Sequence, residues 1–507
     1  MESRGPAGSS SEPSVVDPLP QPSGLKVHPA RARPLKGRGS NSHQPSALLG
    51  ALFLAFAAGV LLALTFRPVV EGDGVGYYAY LHAVLVSHSL DFGNEFSAAI
   101  ASKVPLYLPL VTTRTATGQL GNFFPVGSAV LSAPAYLIVL AMHPSGEPQY
   151  GSPFVEAFSL ASLLYGLLGL AICYRLATSV GLNARSALIG VVGAAFATPL
   201  AYYMLTDPSY SHTFSVFCVS AFLYMWWTGP PHTYRGWFGL GVLGGLMAMT
   251  RFQDGALVAI VLIDFRRLRW PALMLLPGLL IGFAPQLAVD QVQFGTWLPQ
   301  RFQSQALNPL NAHYFDALFS SHEGLFIWTP AAVLAAAGFF FIRDRRLKIA
   351  CLLAFVIEVL IIGSAPDNGG VAFGPRRFLD LIPFAVAGIA SVAARLGTRF
   401  AWPLVGALCA WNLALVANFT YVVPPGTSPG YGELLRGQLT AVPYVPRLFA
   451  KGAAVRDLLL WNQAHTRFDP VGGIFLLVLE AGCVVAALAA ALWPRRDDSR
   501  VKPVSVE

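Results

Sequence analysis

The chain is dominated by apolar runs of about 20 residues, the length that crosses a lipid bilayer as a helix. Hydrophobic residues make up 54% of its 507 residues and charged residues only 12%, against about 25% charged residues in soluble domains. Backbone groups inside a bilayer must pair within their own segment, so these runs should form helices. The sequence predicts an all-α, polytopic integral membrane protein and excludes a soluble enzyme, a disordered protein or a nucleic-acid-binding module.

The first apolar run covers residues 47–66 and follows a basic tail, residues 1–45, that is rich in proline and serine. Such a tail cannot bury a core, so we expect it to be disordered and cytoplasmic. Together the runs predict about 11–13 spans in a transmembrane domain over residues 46–494. The further runs cover residues 123–142, 154–175, 187–204, 211–227, 237–250, 252–265, 271–289, 324–342, 349–364, 379–395, 400–421 and 471–493.

Clusters of basic residues set the predicted topology, because lysine and arginine concentrate on the cytoplasmic side of membrane proteins. The clusters are Arg266, Arg267 and Arg269; Arg343, Arg345, Arg346 and Lys348; Arg395 and Arg399; and Arg495 and Arg496. A cytoplasmic tail then covers residues 495–507. The segments predicted to lie outside are the first loop, 67–121, and the loops 290–323, 365–378 and 422–470.

The orientation of the middle spans in the membrane has two interpretations. If Arg175 and Arg185 are cytoplasmic, residues 123–142 form a re-entrant or half-spanning pair, and the turns at 205–210 and near 251 face outside. Alternatively, residues 237–265 form one long helix and the turn at 205–210 is cytoplasmic.

The first outside loop contains a helical pattern and an acidic motif. Its apolar residues recur at helical spacing from Tyr77 to Leu85, which predicts an amphipathic juxtamembrane helix lying flat at the interface. Directly before it stands Glu71-Gly72-Asp73-Gly74. Asp73 can accept a proton from a hydroxyl group, or it can simply cap the helix. Tyr77 and Tyr78 can stack on sugar faces or belong to an interfacial aromatic belt.

Polar residues between or within later spans are further candidates, since charges at membrane depth are costly. Asp207 and His212 lie in a short turn, either as helix caps or as the polar floor of a site. Arg251 and Asp254 interrupt an apolar stretch, either as a structural ion pair or as ligand contacts.

Arg376 and Arg377 end an outside loop at the start of a span. Arginine is well suited to bidentate phosphate binding. The alternative is that both side chains extend to lipid headgroups.

Other kinds of site have no support in the sequence. The five cysteines lie inside apolar runs and show no metal-binding spacing, and no nucleotide-binding glycine loop or HExxH motif occurs. We therefore predict no cofactor; the alternative is a divalent cation bound by the oxygen ligands Glu71 and Asp73.

These features resemble the GT-C glycosyltransferases, the superfamily of protein O-mannosyltransferases and the lipid A aminoarabinose transferase. The resemblance rests on the acidic motif after the first span, and it covers roughly residues 45–400. Three further segments carry it: Gly121-Asn122-Phe123-Phe124-Pro125-Val126-Gly127, Gly324-Leu325-Phe326-Ile327-Trp328-Thr329-Pro330 and Phe373-Gly374-Pro375-Arg376-Arg377-Phe378. Many members have an Asp-Glu pair, whereas here Gly74 follows Asp73.

The resemblance implies transfer of a sugar from a polyprenyl-phosphate donor to a glycan, lipid or protein acceptor, with inversion and without a nucleotide. It implies Asp73 as the base and Arg376 and Arg377 as phosphate ligands. The expected location is the bacterial inner membrane, with membrane lipids as neighbours, no nucleic acid partner and an active site facing outward.

Two other functions stay open. A transporter or lipid-sugar flippase would use the same buried charges as a substrate path. A polysaccharide polymerase or ligase would use a diphosphate-linked donor and the arginines of the large outside loops.

Overall fold

The chain folds into helices joined by short turns. The computed structural model describes residues 64–146, 148–229, 233–300, 307–365, 372–423, 427 and 429–449. Within these ranges there are isolated β-bridges but no strands, so the all-α prediction is confirmed there. The two tails, most of the first predicted span and the last one lie outside the described residues.

Eighteen α-helices and several 3₁₀ segments are described. The α-helices are α1 (Asp73–Leu85), α2 (Gly93–Ala101), α3 (Pro109–Thr112), α4 (Gly127–Met142), α5 (Ser152–Ser179), α6 (Ala184–Phe196), α7 (Leu200–Leu205), α8 (His212–Thr228), α9 (Tyr234–Thr250), α10 (Leu275–Phe294), α11 (Tyr314–Phe319), α12 (Leu325–Trp328), α13 (Pro330–Phe339), α14 (Arg345–Gly363), α15 (Ile382–Leu396), α16 (Thr398–Tyr421), α17 (Tyr431–Ala441) and α18 (Val445–Leu448). The 3₁₀ segments are Phe252–Arg267, Trp270–Met274, Pro309–Asn311, Arg376–Leu381 and Val442–Tyr444.

Four helical stretches of the described chain are long and apolar enough to cross a membrane: Ser152–Ser179, Trp270–Phe294, Arg376–Leu396 and Thr398–Tyr421. Three shorter apolar helices, α4, α6 and α13, accompany them. The protein is thus a polytopic membrane protein, as its composition predicts. The total number of spans and the side on which each loop lies stay predictions.

The chain folds back on itself at Arg251. Its backbone is extended there (φ −148°, ψ 124°) between α9 and the 3₁₀ segment Phe252–Arg267. A Cβ on Gly255 would lie 2.9 Å from Cβ of Ala248, and one on Gly244 would lie 3.0 Å from Val258. These pairs are nearly symmetric about residue 251, as in a helical hairpin. One long helix over 237–265 is therefore excluded.

Helix α1 lies in the core instead of flat on a surface. All ten residues from Gly74 to Ala83 are buried, because the rest of the first loop and helices α4 and α5 pack around it. Tyr77 meets Phe124 on one side, at 4.9 Å between ring centroids. Tyr78 packs on the other side against Tyr136 and Phe158. The first predicted outside loop is therefore part of the folded body.

Two of the basic clusters meet at one end of the molecule. Arg346 forms an ion pair with Asp264 and lies 3.9 Å from the ring centroid of Trp226. It also donates to the Trp226 carbonyl oxygen at 2.9 Å. Arg346 thereby joins the start of α14 to the ends of α8 and of the 252–267 segment. This agrees with placing both clusters on one side of the membrane.

Candidate active site

An open cleft of about 940 Å³ lies where α1, the turn before α8, the Arg251 turn and the Gly-Pro-Arg-Arg segment come together. Its walls carry both charged and aromatic side chains. The lining residues are Asp73, Tyr77, Phe123, Phe124, Pro125, Tyr210, His212, Arg251, Phe252, Gln253, Leu307, Ile361, Ile362, Ala365, Arg376 and Arg377.

Asp73 and Arg376 form an ion pair inside the cleft. Nη1 of Arg376 lies 2.9 Å from Oδ2 of Asp73, and the Asp73 side chain remains 25% exposed. Asp73 is the first residue of α1, the N-cap position belongs to Gly72, and no side chain caps the helix. The Asp73 carboxylate therefore does not cap the helix. It faces the cleft, where it can accept a proton.

Two glycines of the acidic motif let the 206–211 turn pack directly against it. Gly72 has a positive φ of 59°, and a Cβ there would lie 2.8 Å from the Tyr210 hydroxyl. A Cβ on Gly74 would overlap the Ser209 side chain. The close approach brings the Tyr210 ring to 4.9 Å from the Arg376 guanidinium, where cation–π attraction holds it. His212 stacks on Tyr210 at 5.8 Å.

Two further acids, Asp207 and Glu71, lie beside the cleft without lining it. Asp207 is buried and accepts a hydrogen bond from Ser209 at 2.9 Å. Burial, and then the negative charge of Glu71, raise the pKa of Asp207 to about 8. Glu71 itself pairs with Arg67 at 3.5 Å. Asp207 is therefore mainly protonated near neutral pH and supports the turn that carries Tyr210.

The inner wall of the cleft is built from Arg251 and Arg377. Nη1 of Arg251 lies 3.7 Å from Oδ2 of Asp380, and its Nη2 donates to the Gln253 carbonyl oxygen Oε1 at 3.0 Å. Asp254 is fully buried behind this wall and accepts from Ser215 at 2.6 Å. Arg251 thus faces the cleft while Asp254 does not.

Six of the ten predicted site residues line the cleft: Asp73, Tyr77, His212, Arg251, Arg376 and Arg377. Glu71, Asp207 and Asp254 lie next to it with other partners. Tyr78 points away and donates to the carbonyl oxygen of Gln149. The turns at 205–210 and at 251 both reach the cleft, so they lie on the same side as Asp73, as the first of the two topologies requires.

Four polar residues of the site were not among the sequence candidates: Tyr210, Gln253, Glu358 and Asp380. Glu358 and Asp380 lie inside apolar runs, and a carboxylate at such a position is a usable signal because it needs a partner. Tyr210 and Gln253 stand within motifs that the sequence analysis selected, but tyrosine and glutamine carry no charge to mark them.

The cleft is chemically suited to an anion attached to an apolar chain. Among the described residues, three guanidinium groups line it against one carboxylate, that of Asp73. A narrow apolar pocket shares the segment that carries the arginines, through Pro375 and Phe378. In the described part of the chain, no group of three histidine, cysteine or acidic side chains is arranged to hold a metal ion.

Comparison with known proteins finds similarity only among solved structures. No family model matches the chain, and no curated protein matches it. The crystal structure of ArnT from Cupriavidus metallidurans in the apo state is 17% identical, with a TM-score of 0.46 over 89% of this chain and 77% of that one. The structure of the same protein bound to undecaprenyl phosphate is 18% identical, with a TM-score of 0.47 over 88% and 77%. At these values the activity of this chain has to be inferred from its own cleft.

Proposed function

We propose that this protein is a membrane glycosyltransferase of GT-C type. It transfers a sugar from a polyprenyl-phosphate donor to a hydroxyl or amine of a glycan, lipid or protein acceptor, at the outer face of a bacterial inner membrane. The observation that carries the proposal is the cleft carboxylate of Asp73, 2.9 Å from Arg376 and surrounded by two further arginines. A base and a cluster of phosphate ligands are what such a transfer needs.

The proposed reaction is a displacement with inversion at the anomeric carbon. The acceptor oxygen or nitrogen forms a bond to this carbon and gives its proton to Asp73. The bond from the carbon to the phosphate oxygen breaks, and the lipid phosphate leaves with an added negative charge. Arg376, Arg377 and Arg251 stabilise that charge, which grows towards the transition state.

The apolar pocket supports a lipid-linked donor. Because Pro375 and Phe378 border it and flank Arg376 and Arg377, a phosphate on these arginines has an apolar surface within reach. Apolar chains gain about 0.8 kcal/mol for each CH₂ group that leaves water. The lipid tail can thus stay in an apolar environment while the sugar reaches Asp73.

The test is sugar transfer by the purified chain in proteoliposomes. Radiolabelled polyprenyl-phosphate sugars are offered together with an acceptor extract, and the intact chain is compared with Asp73→Asn. Loss of the base should lower kcat by about 10²–10⁴-fold. Asp91→Asn is the matched control, because Asp91 is an exposed acid of the same loop that does not line the cleft.

Each outcome separates the candidate functions. Labelled product from the intact chain and from Asp91→Asn, but not from Asp73→Asn, supports the transferase with Asp73 as its base. Equal product from both variants keeps the transferase and removes Asp73 as the base. Labelled lipid that crosses the bilayer without any product favours a flippase, and product only from diphosphate-linked donors favours a polymerase or ligase.

A further inference from the structure

A largely buried polar network lies beside the arginines of the cleft, and Gln253, which is half-buried and also lines the cleft, is at its centre. Nε2 of Gln253 lies 2.9 Å from the backbone carbonyl oxygen of Arg377. The same nitrogen lies 2.6 Å from Oδ2 of Asp380 and 2.7 Å from Oε2 of Glu358. Both carboxyl groups are fully buried. One amide therefore joins the backbone of the Gly-Pro-Arg-Arg segment to two other elements.

The other end of the same amide holds Arg251. Nη2 of Arg251 donates to Oε1 of Gln253 at 3.0 Å, and its Nη1 lies 3.4 Å from the Arg377 carbonyl oxygen. Arg251 and Arg377 are 126 residues apart in sequence. Gln253 thus fixes the distance between two cleft arginines that no local structure connects.

The network is poorly explained by stability alone. Three buried carboxyl groups, Asp254, Glu358 and Asp380, interact electrostatically with the one guanidinium of Arg251, and only Asp380 forms an ion pair with it. Replacing buried ionic groups with well-packed apolar residues is often neutral or stabilising. A costly arrangement that touches the backbone of Arg377 is better accounted for by what it positions.

We propose that Gln253 is a positioning residue, which holds Arg251 and Arg377 at the spacing that binds the phosphate of the donor lipid. The inference rests on the proposed function for the identity of the ligand. It adds that phosphate affinity depends on a side chain whose own hydrogen bonds all go to protein groups. A glutamine of similar chemistry far from the cleft residues is Gln438, which is buried and whose Nε2 donates to the Trp411 carbonyl oxygen at 3.1 Å.

The experiment compares Gln253→Met with Gln438→Met, each of which removes a hydrogen-bonded amide at nearly constant volume. Binding of undecaprenyl phosphate to the purified full chain gives Kd, and transfer in proteoliposomes gives KM and kcat. We expect Gln253→Met to weaken Kd about ten-fold, the size of one lost hydrogen bond to a charged group. KM should rise with it while kcat changes little, and Gln438→Met should leave both constants unchanged. An unaltered Kd in folded Gln253→Met overturns the inference.

A second variant covers the case in which Gln253→Met does not fold, as judged by its unfolding temperature in detergent. Asp380→Ala removes the carboxyl group that accepts from Gln253 and pairs with Arg251, so it should also weaken Kd, and a normal Kd would overturn the inference. The two proposals fail separately. Tight binding of undecaprenyl phosphate without any transfer would overturn the transferase proposal, and the effect of the variants on Kd could still be measured. Transfer with an unchanged Kd in the variants would overturn only the positioning role.

Discussion

At the scale of single residues, the proposed base and a proposed phosphate ligand neutralise each other. Arg376 holds Asp73 at 2.9 Å, so a phosphate that binds Arg376 competes with Asp73 for the same guanidinium. Donor binding would then release the carboxylate beside the sugar it must serve. When no donor is bound, the ion pair with Arg376 disfavours proton transfer from other hydroxyl groups to Asp73.

Tyr210 tests whether the orientation of Arg376 matters. Its ring supports the guanidinium at 4.9 Å, and such a contact is worth about 0.5–2 kcal/mol. Tyr210→Ala should therefore lower kcat/KM for transfer by about ten-fold, and Tyr210→Phe, which keeps the ring, should stay close to the intact chain. If the phenylalanine variant is as impaired as the alanine variant, the hydroxyl group and not the ring is what counts.

Asp207 should make stability depend on pH. Its pKa in the folded chain is about 8, above that of an unfolded aspartate, because the side chain is buried and Glu71 is near. The folded state therefore binds a proton that the unfolded state releases, and its stabilising effect is lost as pH rises from about 4 to about 8. Between pH 5 and pH 8, the unfolding temperature of the intact chain should fall more than that of Asp207→Asn. Parallel curves would contradict this.

At the scale of elements, helices α9 and α10 cross at four glycines. Gly241 and Gly245 on α9 face Gly278 and Gly282 on α10, and a Cβ on any of them would overlap backbone atoms of the other helix. Small residues spaced by four are what allow helix backbones to come this close in a membrane. The contact holds α9 in place. Helix α9 is the first arm of the helical hairpin whose turn, at Arg251, lines the cleft.

Adding one methyl group at this crossing should be costly. In Gly245→Ala the new Cβ would lie 2.7 Å from the backbone nitrogen of Phe283, so the helices must separate, at about 1–3 kcal/mol. Thermal unfolding in detergent measures the loss. Gly406→Ala in α16 is the control: nothing lies within 4 Å of its Cβ, and alanine is the better helix former, so its unfolding temperature should not fall. An equal effect of the two would argue against the close crossing.

At the scale of the whole molecule, the polar and charged side chains of the cleft come from four distant parts of the chain, around residues 73, 210, 251 and 376. Because they share one cleft, we expect all four to lie on one side of the membrane, and the basic clusters near 266 and 343 to lie on the other. This predicted topology can be checked without any activity.

Single cysteines can report the two sides. Ser102 and Arg343 are both exposed, Ser102 in the first predicted outside loop and Arg343 in a basic cluster. In a background without the native cysteines, a membrane-impermeant thiol reagent should label Ser102→Cys in intact spheroplasts. It should label Arg343→Cys only after the membrane is opened. The reverse pattern would place the cleft on the cytoplasmic side.

The sequence by itself determined the class of the fold and the charged residues that line the cleft. Apolar runs of about 20 residues have the length at which a helix crosses a bilayer with its backbone groups paired internally. Charged residues such as Asp73, Arg251 and Arg376 stand out in an apolar chain because each needs a compensating partner. Such signals are local, so they can be recognised without knowing what packs against what.

Only the tertiary structure decided which candidates meet and how. Tyr77 and Tyr78 are neighbours in sequence, yet one lines the cleft and the other packs against Tyr136, because successive helical residues point about 100° apart. Gln253 has no charge to mark it, and its role depends on contacts with Glu358, Arg377 and Asp380, more than 100 residues away. Pairings over such distances are set by how the helices pack, which the pattern along the chain does not contain.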